Sequence, residues 1–568
     1  MTYKNLPYGV SNFADLIEGN YAYVDKTRFI EFLEKENNPY QFFIRPRRFG
    51  KSLFLSILEN YYDLNKKDKF ESLFGDFYIG KHPTPKQGIY AVIQFDFSGL
   101  NTDSRSEFKD SFSDNIQETV KFFLIKYKNL LNVSETLLNS LETEKFGIGA
   151  VNMAYTAAKS VDIPIFVIVD EYDHFANNLI AMGKTYKDEV KAGGIVRSFY
   201  ETLKKGVASV VKRVFITGIS PMMLSDLTSG FNMSTDYSLF PKYNEMFGFT
   251  REEVDRLTDE TGIDRNLIKV DMESCYNGYL FNNKGENKVY NSQMVLFLFN
   301  QILQLKEQPT QIIDVNLKTD YERLRRLAEN ENNRKLLLQI MIDGGIYGNI
   351  IEKFSLDKLE SEEYFISLLF YLGMLTVGGI ERGKTWLKIP NYSIKTLYWE
   401  YLVSYAENAD KKQINPNSFS VNAERMAYDG DFNSFLIFFV ENRLKRLSNR
   451  DLINFDEKYI KLMMLATLYF SNFYLPISED ENTGGYSDVY LQRHHAVADV
   501  KFEYIFELKY VKTDASENEK EAKFTQAFAQ LEKYKKDPRF TDRDDLKFIA
   551  ILFTGKEAFE ARETAKLL

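Results

Sequence analysis

The stretch Gln41–Tyr62, QFFIRPRRFGKSLFLSILENYY, limits what this chain can fold into more than any other. A short apolar strand, Gln41–Ile44, runs into a compact basic loop, then into Gly50-Lys51-Ser52, then into a helix. Leu53, Phe54, Ile57, Leu58 and Tyr61 recur on one face of that helix at its 3.6-residue period. Strand, loop, Gly-Lys-Ser and helix is the layout of a phosphate-binding P-loop. Backbone N–H groups at the helix start cradle the phosphates, Lys51 supplies a point charge, and Ser52 ligates Mg²⁺. One position departs from the strict GxxxxGK[ST] pattern: Arg45 stands where the first glycine belongs.

A P-loop also needs an acidic site to hold the Mg²⁺ shell and orient water. Ile165–Val169 followed by Asp170-Glu171 has the expected Walker B form, four or five apolar residues ending in two acids. Asp170 is expected in the Mg²⁺ shell and Glu171 on the attacking water. Thr217 is a polar residue in the apolar run Arg213–Ser220, suited to sensing a γ-phosphate or positioning water. Each motif alone is weak. Their common placement at the carboxyl ends of predicted strands, where open α/β sheets bind ligands, makes them one site.

At 568 residues the chain exceeds a single core, and about 150 residues per domain suggests three or four units. A hydrophobic fraction of 44% and a charged fraction of 27% are those of an ordinary globular protein. The net charge of −9 excludes a globally basic nucleic-acid footprint, so any such contact must use a local patch. Cys275 is the sole cysteine, which excludes disulfides within the chain and cysteine-based zinc sites. His82, His174, His494 and His495 are too scattered for a strong metal cluster. No signal layout and no long apolar run are visible, so a cytoplasmic protein without a membrane span is expected.

Strands are expected at Ile89–Leu100, Pro164–Asp173 and Arg213–Ser220, with helices over about 104–160 and 187–211. That alternation predicts a parallel α/β sheet covered on both faces across residues 1–250. From Thr250, where Thr250-Arg-Glu-Glu253 is a capping box, a helical lid region is expected to residue 345. Residues 346–407 read as a winged-helix-like module, with a hairpin turning at Glu381-Arg382-Gly383-Lys384. A hairpin simply packed on helices fits the same pattern. Polar punctuation at 408–422 marks a linker. Residues 423–568 form a last unit, with a helix at Phe455–Phe470, strands near 486–492, 502–511 and 547–555, and a helix over about 516–536.

That last unit carries the second constellation. Asp488 on one strand, and Glu507-Leu508-Lys509 on the next, bring two carboxylates and an ammonium to one strand edge. Alternation sends Glu507 and Lys509 to the same face and Leu508 to the core. The set suits metal-assisted phosphodiester hydrolysis: the carboxylates bind Mg²⁺, with Mn²⁺ as a substitute, and Lys509 stabilises the nucleophile or the developing charge. Gln530 and Tyr534 stand one helical turn apart on one face. Glu457, near the start of the preceding helix, is a candidate third carboxylate, or a charge favoured by the helix dipole. Lys533, Lys535, Lys536 and Arg539 form a local basic patch that could meet phosphates or be a solvated helix end.

Residue by residue, the chain resembles the bacterial AAA-ATPase-like proteins that carry a C-terminal PD-(D/E)XK nuclease domain. Tyr23-Val24-Asp25-Lys26-Thr27 resembles that family's YVDKT, and Arg45-Pro46-Arg47-Arg48-Phe49-Gly50-Lys51-Ser52 its RPRRFGKS. Met246–Thr250, Tyr276-Asn277-Gly278-Tyr279 and Leu369–Gly373 look like further family phrases. Asp488, Glu507 and Lys509 fall on its nuclease positions, Glu457 resembles its helix Glu, and Gln530-x-x-x-Tyr534 is similar to the QxxxY of RecB-type nucleases. The resemblance implies a multidomain α/β architecture: a P-loop NTPase, a helical and winged-helix-like middle, and a restriction-endonuclease-like α/β domain. It also implies that Arg45 replaces the glycine as a rule. Arg45, Arg47 and Arg48 crowd three positive charges beside Gly50-Lys51-Ser52 and, with Phe49, are expected at the nucleotide, with an acidic partner surface or DNA as the alternatives for the three arginines.

The function expected is ATP binding or hydrolysis coupled to Mg²⁺-dependent cleavage of DNA, acting on foreign DNA, with a homo-oligomer as a candidate assembly. The alternative is a nucleotide-switched signalling or binding protein whose nuclease fold is inactive.

Overall fold

The computed structural model describes residues 3–144, 147–176, 194–222, 234–314, 325, 327–354, 358, 361–410, 416–446, 456–469, 471, 473–482, 485–494 and 499–564. His495, residues 187–193 of one expected helix, residues 411–415 of the expected linker and Phe455 lie outside them. The chain divides into two compact units, one running essentially to Asn391 and the other comprising Tyr392–Leu568 with short strips at 308–310 and 341–343.

The first unit is built on strands β1 (Tyr40–Ile44), β2 (Ala91–Asp96), β3 (Ile165–Asp170), β4 (Val211–Gly218) and β5 (Thr235–Asp236). They pair in the order β2-β3-β4-β1-β5, and every pairing is parallel. All six residues of β3 are buried, as a strand covered on both faces requires. Helix Lys51–Tyr62 packs on β2 and β3, Arg105–Lys126 on β2 and Ile195–Val207 on β4, with Gly147–Ser160 against the last two helices, and aromatic side chains fill much of the core. Phe97, Phe112 and Phe199, for example, pack ring to ring at 5.0–6.0 Å.

The N-terminal YVDKT segment is a staple of this unit. Asp25 accepts hydrogen bonds from the backbone N–H and hydroxyl of Thr27 and from the Tyr78 backbone, tying two segments to one carboxylate. Lys26 is buried, and its Nζ lies 2.7 Å from Glu253 Oε2 and 2.8 Å from the Glu245 carbonyl oxygen. Glu253 is also the third helical residue, which closes the capping box opened by Thr250. One carboxylate therefore caps helix Arg251–Thr261 and neutralises a buried lysine.

Strands β6 (Gly345–Gly348), β7 (Thr376–Glu381) and β8 (Lys384–Lys388) form an antiparallel sheet in the order β6-β8-β7. The hairpin turns on Arg382 and Gly383, both at positive φ, as a tight two-residue turn requires.

In the second unit β9 (Tyr474–Asn482), β10 (Gly485–Arg493), β11 (Glu503–Val511), β12 (Leu546–Thr554) and β13 (Ala558–Glu563) form a mixed sheet in the order β13-β12-β11-β10-β9. β11 and β12 run parallel, joined by the crossover helix Glu517–Tyr534; the other pairings are antiparallel. Phe524, Ala527, Leu531 and Tyr534 of that helix pack on Ile505, Val511, Ala550 and Leu552 of the sheet.

Two expectations are corrected here. The boundary at residue 407 falls inside helix Tyr392–Asp410, which belongs to the second unit. Its Trp399 ring lies 5.7 Å from Tyr469 of helix Glu457–Tyr469, so aromatic packing rather than polar punctuation decides its allegiance. The stretch 408–422 read as a linker is helical at 408–410 and again from Pro416, where helix Pro416–Asp429 begins. Pro is favoured at a helix start, and a run of Asn and Ser around it reads the same in a loop.

Glu253→Gln leaves the Lys26 ammonium buried without a counter-charge. Denaturant unfolding should show a loss of roughly 3 kcal/mol, whereas Glu252→Gln on the exposed face of the same helix should change little.

Candidate functional site

The Gly-Lys-Ser segment lies where β1 meets helix Lys51–Tyr62. Gly50 caps that helix at φ +89°, a left-handed conformation that glycine adopts without strain. Lys51 is buried and its Nζ donates to the carbonyls of Arg45 (3.0 Å) and Pro46 (2.9 Å), folding the side chain back along its own loop. Ser52 Oγ donates to Asp170 Oδ2 at 2.8 Å, and Thr217 Oγ1 donates to Asp170 Oδ1 at 2.6 Å. Three elements thus meet on one carboxylate: the P-loop helix, the end of β3 and the end of β4. Burial raises the Asp170 carboxyl above its ordinary range, against the hydroxyls of Thr217 and Ser52 and the charge of Lys51.

Glu171 follows at φ +49°, unusual for a non-glycine residue. Its carboxylate sits 2.5 Å from His174 Nδ1. Burial works against its charge, but the interaction with His174 and the charges of Lys51 and Arg47 prevail and hold it below its usual range. Asp173 is fully buried and accepts from the backbone N–H groups of Ile219 and Ser220 and the Ser220 hydroxyl. Asp173 and His174 were not singled out from sequence. Their signal was proximity, two and three residues past Glu171.

A cavity of about 380 Å³ opens beside this loop. Arg47, Arg48, Phe49, Gly50, Lys51, Ser52 and Glu171 line one part of it; Val10, Ala22, Val24, Ile57, Met246 and Leu257 supply apolar wall.

Arg45 does not join that lining. It is 1% exposed, and its guanidinium donates to the carbonyls of Ile44, Ser238 and Tyr243 while stacking 4.2 Å from the Phe281 ring. Burial pulls this guanidinium down to about 9, against the attraction of Asp236. The expectation that Arg45 contacts nucleotide is therefore corrected: its charged end points into the protein, where backbone carbonyls solvate it. The loop it starts is gripped from outside as well. Gly248 N–H donates to the Phe49 carbonyl, Ser292 Oγ to the Arg48 carbonyl, and the Phe49 ring sits edge-on to Tyr279 at 4.9 Å. Gly373 backs onto Pro46, where a Cβ would come within 2.9 Å of the ring. The segments resembling family phrases at 246–250, 276–279 and 369–373 converge on this loop.

In the second unit Glu507 is 4% exposed on β11. Its Oε1 accepts from Lys509 Nζ at 2.9 Å and its Oε2 from the Tyr534 hydroxyl at 3.2 Å. Lys509 Nζ also reaches the Leu508 carbonyl at 2.7 Å and Glu457 Oε1 at 3.4 Å. Asp488, one step past the Val489–Phe506 pair of β10 and β11, accepts from the Leu508 backbone N–H at 2.9 Å. Glu457, Asp488, Glu507, Lys509 and Tyr534 are thereby brought together. Gln530 lies one turn before Tyr534, with a buried Oε1 that has no hydrogen-bond partner among the described residues. In the expected basic patch, Lys535 pairs with Glu532 and Arg539 with Asp537.

Among the described residues no group of three His, Cys, Asp or Glu side chains gathers as a metal set. The donor chemistry nevertheless fits a hard cation. Asp488 and Glu507 offer carboxylate oxygens, and Gln530 Oε1 is an acceptor without a donor. Burial and the negative charge of Asp488 push the Glu507 carboxyl up to about 7, despite Lys509. Sequence reading missed Lys461, whose Nζ lies 3.4 Å from Asp488 Oδ1; its signal was its place one helical turn after Glu457.

Two outcomes follow. Arg45→Gly makes the loop match the strict pattern yet should cost roughly 3 kcal/mol in denaturant unfolding, because it strands buried carbonyls and opens a cavity. Glu507 is raised on folding, so its contribution to stability is full below its unfolded value of about 4.3 and is lost as pH rises through about 7. With a chelator present, Glu507→Gln should raise the melting temperature at pH 8 and leave it nearly unchanged at pH 4.

With the geometry in hand, residues 7–228 match the family model described as predicted AAA-ATPase, and residues 455–563 match that of the PD-(D/E)XK nuclease superfamily. A curated relative, the uncharacterized protein in vnfD 5′ region of Azotobacter chroococcum mcd 1, is 28% identical over 424 residues, 71% of this chain and 70% of its own. Among solved structures, the Walker-type ATPase paby2304 of Pyrococcus abyssi aligns at TM-score 0.40 and 13% identity, over 66% of this chain and 94% of that one. The Aeropyrum pernix ORC1 protein in complex with DNA aligns at TM-score 0.27 and 9% identity, over 69% and 98%. Among the described residues no helix is long and apolar enough to cross a membrane. The chain thus joins an N-terminal domain of the predicted AAA-ATPase family to a C-terminal domain of the PD-(D/E)XK nuclease superfamily.

Proposed function

We propose that the chain binds and hydrolyses ATP at the Lys51 loop and cleaves DNA at the Asp488–Glu507–Lys509 cluster, the first activity governing the second. The observation that carries the reading is the meeting of two carboxylates and a lysine, Asp488 on β10 with Glu507 and Lys509 on β11. A solvated charge pair on a strand edge would not be enclosed in this way; Glu507 is 4% exposed.

Magnesium, when bound, supplies positive charge to phosphoryl oxygens at each site. Ser52 and Asp170 would hold it at the P-loop, and Asp488 and Glu507 in the nuclease domain, with Mn²⁺ as a substitute. Lys51 exchanges its carbonyl partners for phosphate oxygens, and Arg47 and Arg48 add charge along the cavity wall. Glu171 accepts a proton from, or orients, the attacking water, and His174 fixes its carboxylate. In the nuclease domain Lys509 holds its ammonium beside Glu507, where it stabilises the nucleophile or the charge that develops on phosphorus oxygens. Tyr534 orients Glu507 from the opposite oxygen. The P-loop and nuclease pairing in one chain suits a role against foreign DNA inside the cell, and the β6-β8-β7 sheet with its preceding helix suits a winged-helix-like contact.

Plasmid cleavage in Mg²⁺, with and without ATP, tests the reading. Wild type should nick or cut, Asp488→Ala and Lys509→Ala should each lose at least about a thousandfold, and Lys51→Ala should abolish ATP turnover and the ATP effect on cleavage. Cleavage that survives both nuclease-domain substitutions overturns the site. Intact ATP turnover with no cleavage and no carboxylate-dependent Mn²⁺ binding would instead favour a nucleotide-switched binding protein.

A further inference from the structure

Helix Glu457–Tyr469 carries Lys461 four residues after Glu457, so both side chains share one face of it. Lys461 Nζ is 3.4 Å from Asp488 Oδ1, at side-chain exposures of 14% and 19%. Lys509 Nζ is 3.4 Å from Glu457 Oε1 and 2.9 Å from Glu507 Oε1. Ammoniums therefore flank an adjacent pair of carboxylates, with a third carboxylate beyond: Lys461, then Asp488 and Glu507, then Lys509, then Glu457. With all five groups ionised, three carboxylates against two ammoniums sum to one negative charge. A divalent cation brings the sum to one positive charge, and one phosphodiester brings it to zero.

Asp488 has two oxygens and both are engaged, Oδ2 by the Leu508 backbone N–H and Oδ1 by Lys461. A hard cation seeking that carboxylate meets a like charge already on it. We propose that Lys461 competes with the divalent cation for Asp488 and turns to the phosphodiester of the nucleic acid when the cation holds that carboxylate. This inference rests on the nuclease reading above. The substrate phosphate is an anion that arrives at the same carboxylate, and an ammonium 3.4 Å from Asp488 is placed to meet it. Lys461 is in this account a phosphate-binding residue, and the exchange of partners couples metal occupancy to substrate contact.

The test is Mn²⁺ binding to the full chain without nucleotide, followed by electron paramagnetic resonance. It compares wild type with Asp488→Asn, Lys461→Met, Lys461→Gln and Lys461→Arg. A site lost in Asp488→Asn should bind Mn²⁺ about three- to tenfold tighter in Lys461→Met and Lys461→Gln, since each removes the competing charge, and close to wild type in Lys461→Arg. Binding of a fluorescent duplex in Ca²⁺ should show a salt dependence lower by about one unit of log–log slope in the two neutral variants. Unchanged or weaker Mn²⁺ binding in both neutral variants, with the Asp488-dependent site present in wild type, overturns the role of Lys461 alone. A wild type with no Asp488-dependent Mn²⁺ site overturns the nuclease reading, and this inference with it.

Discussion

A guanidinium kept inside the protein organises the N-terminal unit around its basic loop. Arg45 is solvated by the carbonyls of Ile44, Ser238 and Tyr243 and faced by the Phe281 ring. Taking a cation out of water costs several kcal/mol, so the loop can hold Arg45 only when segments some two hundred residues downstream are in place. The arrangement makes the loop and those segments one folding decision. It also supports the positive φ angles at Arg48 and Gly50, conformations that persist when their surroundings over-determine them.

The C-terminal unit depends on register instead. Its carboxylates and lysine come from β10 and β11, whose alternation sends Glu507 and Lys509 to one face while Phe506 and Leu508 are buried on the other. A slip of one residue would exchange the faces, setting two charges into apolar packing and two large hydrophobics into the polar cluster. The site and the core therefore fix each other. The parallel pairing of β11 with β12 over nine residues and the packed crossover helix hold that register.

Much of this was legible because it follows from local pattern. The apolar runs before Lys51 and at Ile165–Val169 could hardly be anything but buried strands, and the Glu-x-Lys alternation put its two charges together before any fold was known. What escaped depends on tertiary context. Arg45 sits at a motif position that suggests phosphate, and nothing nearby in sequence reveals that Ser238 and Tyr243 supply its partners. Lys461 lies on a helix dominated by apolar residues, and its carboxylate partner Asp488 is 27 residues away. β9 contains Pro476 and a run of acids, and β13, Ala558–Glu563, is a half-exposed edge whose AFEARE reads as well for helix. Edge strands carry little hydrophobic signal, and neither was foreseen.

The Lys51 side chain has a consequence for selectivity. Its ammonium is already satisfied by two carbonyl dipoles of its own loop. A ligand gains from this lysine only the difference between what it offers and what those dipoles give. For a neutral or singly charged group that difference is small, and the lysine has little reason to leave. A polyphosphate sets several formal negative charges against two carbonyl dipoles, and the exchange runs forward. In the proposed nucleotide site the loop's own carbonyls would thus act as a threshold, setting a minimum anionic charge below which the lysine keeps its own loop as partner.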